Sequence, residues 1–290
     1  MHGKTKQRLA LALLALAALC AWWLLGSKYA LEVSSYAVTS PKLTGAIRIV
    51  QLTDLHNSLF GRENERLVRQ VAGQQPDLIL LTGDMLNGDE PRTDVATDLI
   101  ERLAPIAPVY ASIGNHERGH ENVYGSDITR LYEQAGATVL ERTWADVEIA
   151  GQSVRIGGAY GYCLSEKYLR TREAREKEVE YLKEFENTDR LTLLMCHVPT
   201  SWIINDNLEE WEIDCIFCGH IHGGQVRVPV LGGVYAPDQG WFPGQLCGLY
   251  YSQDHQRVMV LSRGLGSRGG VPRINNVPEI VVVDILPEMK

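Results

Sequence analysis

Five apolar runs in the 290-residue chain each stop at a short group of side chains able to bind a metal ion. Residues 47–52 run into Asp54-Leu55-His56, and residues 77–81 into Gly83-Asp84. Residues 109–113 lead to Gly114-Asn115-His116-Glu117, and residues 191–195 to Cys196-His197. Residues 213–217 lead to Cys218-Gly219-His220-Ile221-His222-Gly223-Gly224-Gln225. A short, nearly all-apolar run bounded by polar and glycine residues is the pattern of a strand buried on both faces. Helical periodicity falls between the first three runs, at 64–72 (Leu67, Val68, Val71) and 95–103. Buried strands alternating with helices build a layered α/β sheet, whose functional loops gather at the carboxyl ends of the strands. Read as the end of an extended segment, His220 and His222 would point the same way.

Asp54, His56, Asp84, Asn115, His197, His220 and His222 offer two carboxylates, one amide oxygen and four imidazoles. One ion does not need seven protein ligands. Two ions sharing a carboxylate do, with water completing each shell. Mixed nitrogen and oxygen ligation without thiolate suits Mn, Fe or Zn better than Ca. Two ions about 3.5–4 Å apart can clamp the attacking and leaving oxygens of an in-line phosphoryl displacement. They also lower the pKa of a bridging water, so that hydroxide forms near neutral pH. Each piece alone says little, because an isolated Asp-x-His or a single histidine such as His197 is commonly structural. The ordered set, with every member at a strand end, carries the reading.

On these motifs the chain resembles the calcineurin-like metallophosphoesterases, through Asp54-x-His56, Gly83-Asp84, Gly114-Asn115-His116-Glu117, His197 and Gly219-His220-x-His222, over residues 45–290. The resemblance implies a four-layer α/β/β/α sandwich of two mixed β-sheets flanked by helices, with a dinuclear site at one edge. It implies that Asp54, His56, Asp84 and His222 bind one metal, and that Asp84, Asn115, His197 and His220 bind the other, Asp84 bridging. It further implies that His116 is the catalytic acid that protonates the leaving oxygen or orients the phosphate. An imidazole titrating near the working pH suits that role. Gly223-Gly224-Gln225, Tyr235-Ala236-Pro237-Asp238-Gln239-Gly240, Gly264-Leu265-Gly266 and Asn275-Asn276-Val277-Pro278-Glu279-Ile280 look like the bacterial membrane-anchored phosphodiesterase branch. There is one departure: Asn87 stands where many relatives carry a second Asp. It is not an expected ligand and bears only on the tuning of its neighbours.

The expected activity is hydrolysis of a phosphodiester or phosphomonoester by in-line attack of hydroxide held between two divalent ions. Two other readings stay open. One is a catalytically inactive protein that keeps the fold as an interaction surface, against which the full ligand set argues. The other is a metal-dependent hydrolase of a different bond. A formal net charge of -8 speaks against a broad nucleic-acid surface. Bound cations would still let an acidic protein take a phosphate ester. The 6 cysteines form no regular disulfide framework. Cys215 and Cys218 sit on opposite faces of one strand and read as buried, reduced thiols. Arg118, His120, His255, Arg268 and Arg273 could meet a substrate phosphate, with surface or loop contacts as the commoner role.

A basic tail, residues 1–8 with Lys4, Lys6 and Arg8, precedes an uncharged apolar stretch, residues 9–26. Its uncharged core, residues 9–25, spans about 26 Å as a helix, workable for a membrane crossing. Trp22 and Trp23 suit an interface, and the basic tail predicts a cytoplasmic N-terminus with the catalytic domain outside the cell membrane. The competing reading is a cleaved signal peptide. Residues 27–44 read as a connector. The anchor alone suggests a lipid-linked or envelope-borne substrate. Residues 165–186, dense in Glu, Lys and Arg, read as one charged surface helix, or a lid beside the site. Residues 225–228, 249–251, 258–262 and 280–285 read as strands of a second sheet.

Overall fold

A computed structural model describes residues 2–161, 163–173, 177–203, 207–267 and 271–288. Helix α1 (His2–Tyr29) passes through Ala30 and Leu31 into strand β1 (Glu32–Ser40). Strands β2 (Ile47–Leu52), β3 (Leu78–Leu81), β4 (Val109–Ala111) and β5 (Ala137–Val139) follow. Between them lie helices α2 (Glu65–Gly73), α3 (Asp94–Leu103), α4 (Asn115–Tyr124) and α5 (Ile128–Gln134). The chain continues through β6 (Thr143–Ile149), β7 (Gln152–Ala159), α6 (Glu166–Thr171), α7 (Lys177–Glu186), β8 (Leu191–Cys196), α8 (Thr200–Ile203) and β9 (Cys215–Cys218). Two small ribbons come next, β10 (Arg227–Val228) with β11 (Gly232–Gly233), and β12 (Tyr235–Ala236) with β13 (Gly240–Trp241). Strands β14 (Gly248–Tyr251), β15 (Val258–Leu261) and β16 (Glu279–Pro287) close the fold.

These strands make two six-stranded mixed sheets, ordered β1-β16-β2-β3-β4-β5 and β14-β15-β9-β8-β7-β6. In the first, β2 to β5 run parallel, while β16 is antiparallel to β2 and parallel to β1. In the second, β15, β9, β8 and β7 run parallel between antiparallel edges β14 and β6. Successive strand side chains face opposite ways, and this divides the apolar runs between layers. Ile47, Ile49, Leu78 and Leu80 meet Val154, Ile156, Leu193 and Phe217 between the sheets. Val50, Leu52, Ile79 and Leu81 face outward onto Leu67 and Val71 of α2 and Leu99 and Leu103 of α3. On the far side Leu194, Cys196 and Ile216 face Leu182 and Phe185 of α7 and Trp202 of α8. The architecture is therefore helix, sheet, sheet, helix. Each fully buried Leu or Phe contributes about 1.5–3 kcal/mol of burial energy. The same alternation puts Cys215 between the sheets and Cys218 in the outer layer, both as free thiols.

Several expectations change. The stretch read as a connector contains β1, which pairs with β16 along nine residues, so the domain begins before residue 45. The C-terminal strands do not form a sheet of their own. β14 and β15 extend the second sheet, β16 inserts into the first beside β2, and only Arg227–Val228 of the 225–228 run is strand. The charged stretch 165–186 is two helices, α6 and α7. The first ends where Arg172 turns left-handed at φ 58. Arg268 lies outside the described residues.

Within α1, the stretch Lys4–Lys28 is long and apolar enough, by length and composition, to cross a membrane. Its foot is tied to the domain: Ser27 is buried, and its Oγ accepts from the backbone N–H of Asn276 at 2.9 Å. At the edge where β2, β3 and β9 end, Gln51 Nε2 donates to Thr82 Oγ1 and to the carbonyl of Cys218, both at 2.9 Å. That buried amide joins the two sheets beneath the site.

Candidate metal centre

The polar groups that follow β2, β3, β4, β8 and β9 converge at this edge. Donor atoms of Asp54, His56 and His222 lie within 4.8 Å of one another, as do those of His56, Asp84 and His116, and those of Asp84, His197 and His220. Asp84 thus belongs to two groups, and His56 to two. Asn115 opens α4 directly before His116, with Gly114 as the cap. All seven expected ligands and His116 come together, with Asn115 and His220 part-buried and the rest buried.

The path by which they converge is not the one the spacing suggests. β9 ends at Cys218, and neither His220 nor His222 is extended. Their φ values are 69 and 50, and the two rings part, His220 toward Asp84 and His197, His222 toward Asp54 and His56. Asp54, His56 and Asp84 are also left-handed, at φ 52, 47 and 55. Non-glycine residues rarely adopt this region, at a cost of roughly 1–3 kcal/mol each, and such outliers cluster at functional sites. Here they fold each side chain back over the sheet edge. The crowding also fixes two glycines. A Cβ on Gly114 would lie 2.3 Å from Asp84 Oδ1. Gly264, at φ 71, packs so close to Asp54 that its Cβ would sit 2.6 Å from the Asp54 Cβ.

Hydrogen bonds behind the rings set which nitrogen faces the cluster. His197 Nδ1 lies 2.8 Å from the carbonyl oxygen of Thr82, which can only accept. His197 therefore carries its proton on Nδ1 and turns Nε2 toward Asp84 Oδ2 at 3.0 Å and Asp54 Oδ1 at 3.9 Å. His56 Nδ1 lies 3.0 Å from Asn87 Oδ1, so its Nε2 also faces inward. His116 is reversed: its Nδ1 accepts from the backbone N–H of Gly88 at 3.0 Å, which puts the proton of the neutral ring on Nε2. His220 Nε2 lies 3.6 Å from Asp238 Oδ2. A histidine's outer partner fixes its tautomer and basicity as a ligand.

The buried carboxylates are strongly perturbed. Burial pushes Asp54 up despite the nearby imidazoles. Burial also opposes ionisation of Asp84, but the adjacent His197 outweighs it and holds Asp84 well below the usual carboxylate range. For His197 burial disfavours charge, yet Asp84 and then Asp54 push it up to about 10. A cation between these groups would take the place of that proton. Burial drives His56 down to about 3 and His222 well below its ordinary value, which favours the neutral ring in both.

The residues fit divalent cations on two further observations. Among the described residues, the buried Asn115 Oδ1 has no hydrogen-bond partner. A buried polar atom left so costs free energy unless something supplies the missing contact. The donor set, carboxylate, amide oxygen and imidazole, is that of Mn, Fe or Zn.

Glu117, whose partner the sequence did not show, sits beneath the site. Its Oε2 accepts from the backbone N–H groups of Asp84 (2.8 Å) and Gly114 (3.0 Å). Its Oε1 accepts from the N–H of Met85 (2.6 Å) and the hydroxyl of Tyr132 (3.0 Å). Burial and Asp84 together push its carboxyl up to about 7. Asp238 was missed as a contact of His220; its only signal was membership of the Tyr235 to Gly240 motif.

The other polar candidates stand apart. Arg118 pairs with Glu121 and Glu141, His120 is buried against Tyr124, and His255 lies beside Tyr251. Arg273 is buried behind the site. Its guanidinium donates to the carbonyls of Gly266 and Arg263 and lies 3.3 Å from His222 Nδ1. None of these four lines the cleft in front of the cluster.

A family model described as calcineurin-like phosphoesterase matches residues 47–224. The chain is 30% identical over 249 residues to phosphodiesterase YaeI of Escherichia coli K12, covering 82% of each. It is 25% identical over 250 residues to a Danio rerio transmembrane protein with a metallophosphoesterase domain, covering 83% of this chain and 53% of that one. A 5'-nucleotidase precursor from Thermus thermophilus shares the fold, with a TM-score of 0.50 at 13% identity, over 83% of this chain and 54% of that one.

Proposed function

The chain belongs to the calcineurin-like phosphoesterase family, and from that premise we propose that it is a dinuclear metal-dependent phosphodiesterase tethered to the cell membrane by α1. The observation that carries the chemistry is the buried pair Asp54 and Asp84, ringed by five imidazoles and the partnerless Asn115 Oδ1. Asp54, His56, Asp84 and His222 would hold one cation. Asp84, Asn115, His197 and His220 would hold the second. Cations bound there supply Lewis acidity, drawing charge from phosphoryl oxygens and bringing the pKa of water toward neutrality. Thr82 and Asn87 orient the imidazoles of His197 and His56, and Asp238 lies near that of His220. His116, which lines the cleft and carries its proton on Nε2, gives that proton to the leaving oxygen. Diester is preferred to monoester because the E. coli relative bears the name phosphodiesterase. The basic residues Lys4, Lys6 and Arg8 support a cytoplasmic N-terminus with the site outside it.

The test is turnover of bis-p-nitrophenyl phosphate by the purified full chain. Activity should require Mn, Fe or Zn, vanish with a chelator and return when metal is restored. A folded, metal-loaded protein that turns over no phosphate ester would overturn the reading.

A further inference from the structure

We propose that the substrate is an amphiphile, a phosphate ester whose aliphatic tail lies in the apolar cleft beside the metal centre, with the cleft opening toward the foot of α1. The proposal rests on the phosphoesterase reading above and deepens it.

The cleft, of about 440 Å³, has two unlike walls. Asn115, His116, His220 and His222 form one. Val226, Val234, Tyr235, Pro237, Trp241 and Val271 form the other. No lysine or arginine lines it among the described residues. A multiply charged, water-soluble ester would call for such groups, because the guanidinium fork matches phosphate. Here the charged and ligating groups are confined to the metal end, and beyond it the lining is apolar apart from the Gln225 amide and the Tyr235 hydroxyl.

The apolar surface does not stop at the cleft. Trp241 is 72% exposed and Phe242 60%, and Val230 and Leu231 on the neighbouring ribbon are also exposed. Contiguous exposed apolar surface marks a partner or membrane contact, and tryptophan favours the membrane interface. Val271 connects this region to a second hollow, which it shares with Leu24 and Leu25 of α1 and with Leu59. Through Val271 the apolar wall of the cleft thus reaches the end of the stretch long enough to cross a membrane, where Lys28 and Arg273 also line the second hollow.

A planar ring is the other occupant to weigh. Tyr235 and Trp241 meet edge to face, centroids 5.5 Å apart and planes at 68°. They pack on each other and do not form a parallel slot for a base. The geometry favours a flexible chain.

The experiment uses the full chain in nanodiscs, loaded with Mn, titrated calorimetrically with ethyl, butyl, hexyl, octyl and phenyl phosphate. Empty nanodiscs provide the subtraction. Affinity should rise with chain length, by up to about fourfold for each methylene fully buried, so that octyl phosphate binds at least about tenfold tighter than ethyl. Val271→Asp, at the junction of the two hollows, should weaken octyl phosphate far more than ethyl phosphate. A flat series in the unmodified protein overturns the proposal, whether or not the variant folds. Phenyl phosphate binding as tightly as octyl also overturns it, in favour of a planar occupant. Binding does not require turnover. A rising series without hydrolysis of bis-p-nitrophenyl phosphate would defeat the phosphoesterase reading alone, and hydrolysis with a flat series would defeat the tail site alone.

Discussion

His56 turns Nδ1 to Asn87 Oδ1 at 3.0 Å and leaves Nε2 facing Asp54 and Asp84, each 3.9 Å away. The family resemblance marked Asn87 as a departure from the expected pattern. Its amide oxygen nonetheless orients the imidazole as a carboxylate would. Asn87→Ala should weaken binding at that metal position by about 10–100-fold. Asn87→Asp should tighten it, because a carboxylate is the stronger acceptor and makes Nε2 a better donor. Competition titration with a chelator measures both.

Asp84 belongs to two of the three ligand groups, and Asp54 to one. Asp84→Ala should therefore disturb both metal positions. Turnover should fall by more than the 100-fold or so that loss of an outer partner costs. Elemental analysis of the purified variant should show metal lost from both positions. Retention of two ions per chain would contradict a shared carboxylate.

His116→Ala removes the Nε2 proton from the cleft and leaves the proposed ligands in place. The expected result is unchanged metal content with turnover slowed by about 10²–10⁴-fold. The loss should be smaller for esters with good leaving groups, such as p-nitrophenol, than for alkyl esters.

Glu117→Gln exchanges one acceptor oxygen for a donor amide. With the amide turned to the Oε1 side, the Tyr132 hydroxyl can rotate to accept from it, and the Met85 N–H is left facing an N–H. At about 1–3 kcal/mol for a buried donor left unmet, the cost is roughly 1–3 kcal/mol. Chemical denaturation should read this as a lower midpoint with an unchanged slope.

Away from the site, Arg155 donates to both oxygens of Asp146, at 2.7 and 2.8 Å. The bond to Arg155 lowers the Asp146 pKa, against a smaller opposing effect of burial. The pair's contribution is therefore present above the ordinary aspartate value of about 3.9 and fades as pH falls through the lower folded value. Asp146 is part-exposed, so the worth is at most about 1 kcal/mol. Asp146→Asn should cost that much near neutral pH and nothing in strong acid, by urea melts at both.

The convergence of these polar residues was legible because each follows a strand that buries both faces, and such strands announce themselves as unbroken apolar runs. The local geometry was not. His220 and His222 were read as two positions on one extended face, yet they reach different ligand groups through left-handed turns that spacing alone does not encode. Pairing across long separations was equally hidden. Nothing between residues 279 and 287 says that β16 joins the first sheet, because its neighbours β1 and β2 lie more than 200 residues away. Arg273 read as a surface or loop residue that could meet a substrate phosphate. Its position behind His222 depends on carbonyls of Gly266 and Arg263 that the loop presents only once folded.

Only Ala30 and Leu31 separate α1 from β1, and β1 is zipped to β16 along its whole length. β16 begins at Glu279, which grips Arg263 next to the glycine that abuts Asp54. A tilt or tug on the helix thus has no slack loop in which to dissipate. It would be carried through stiff, hydrogen-bonded chain to the glycine that abuts Asp54, so on the proposed anchoring a load on α1 would be felt at the floor of the cluster.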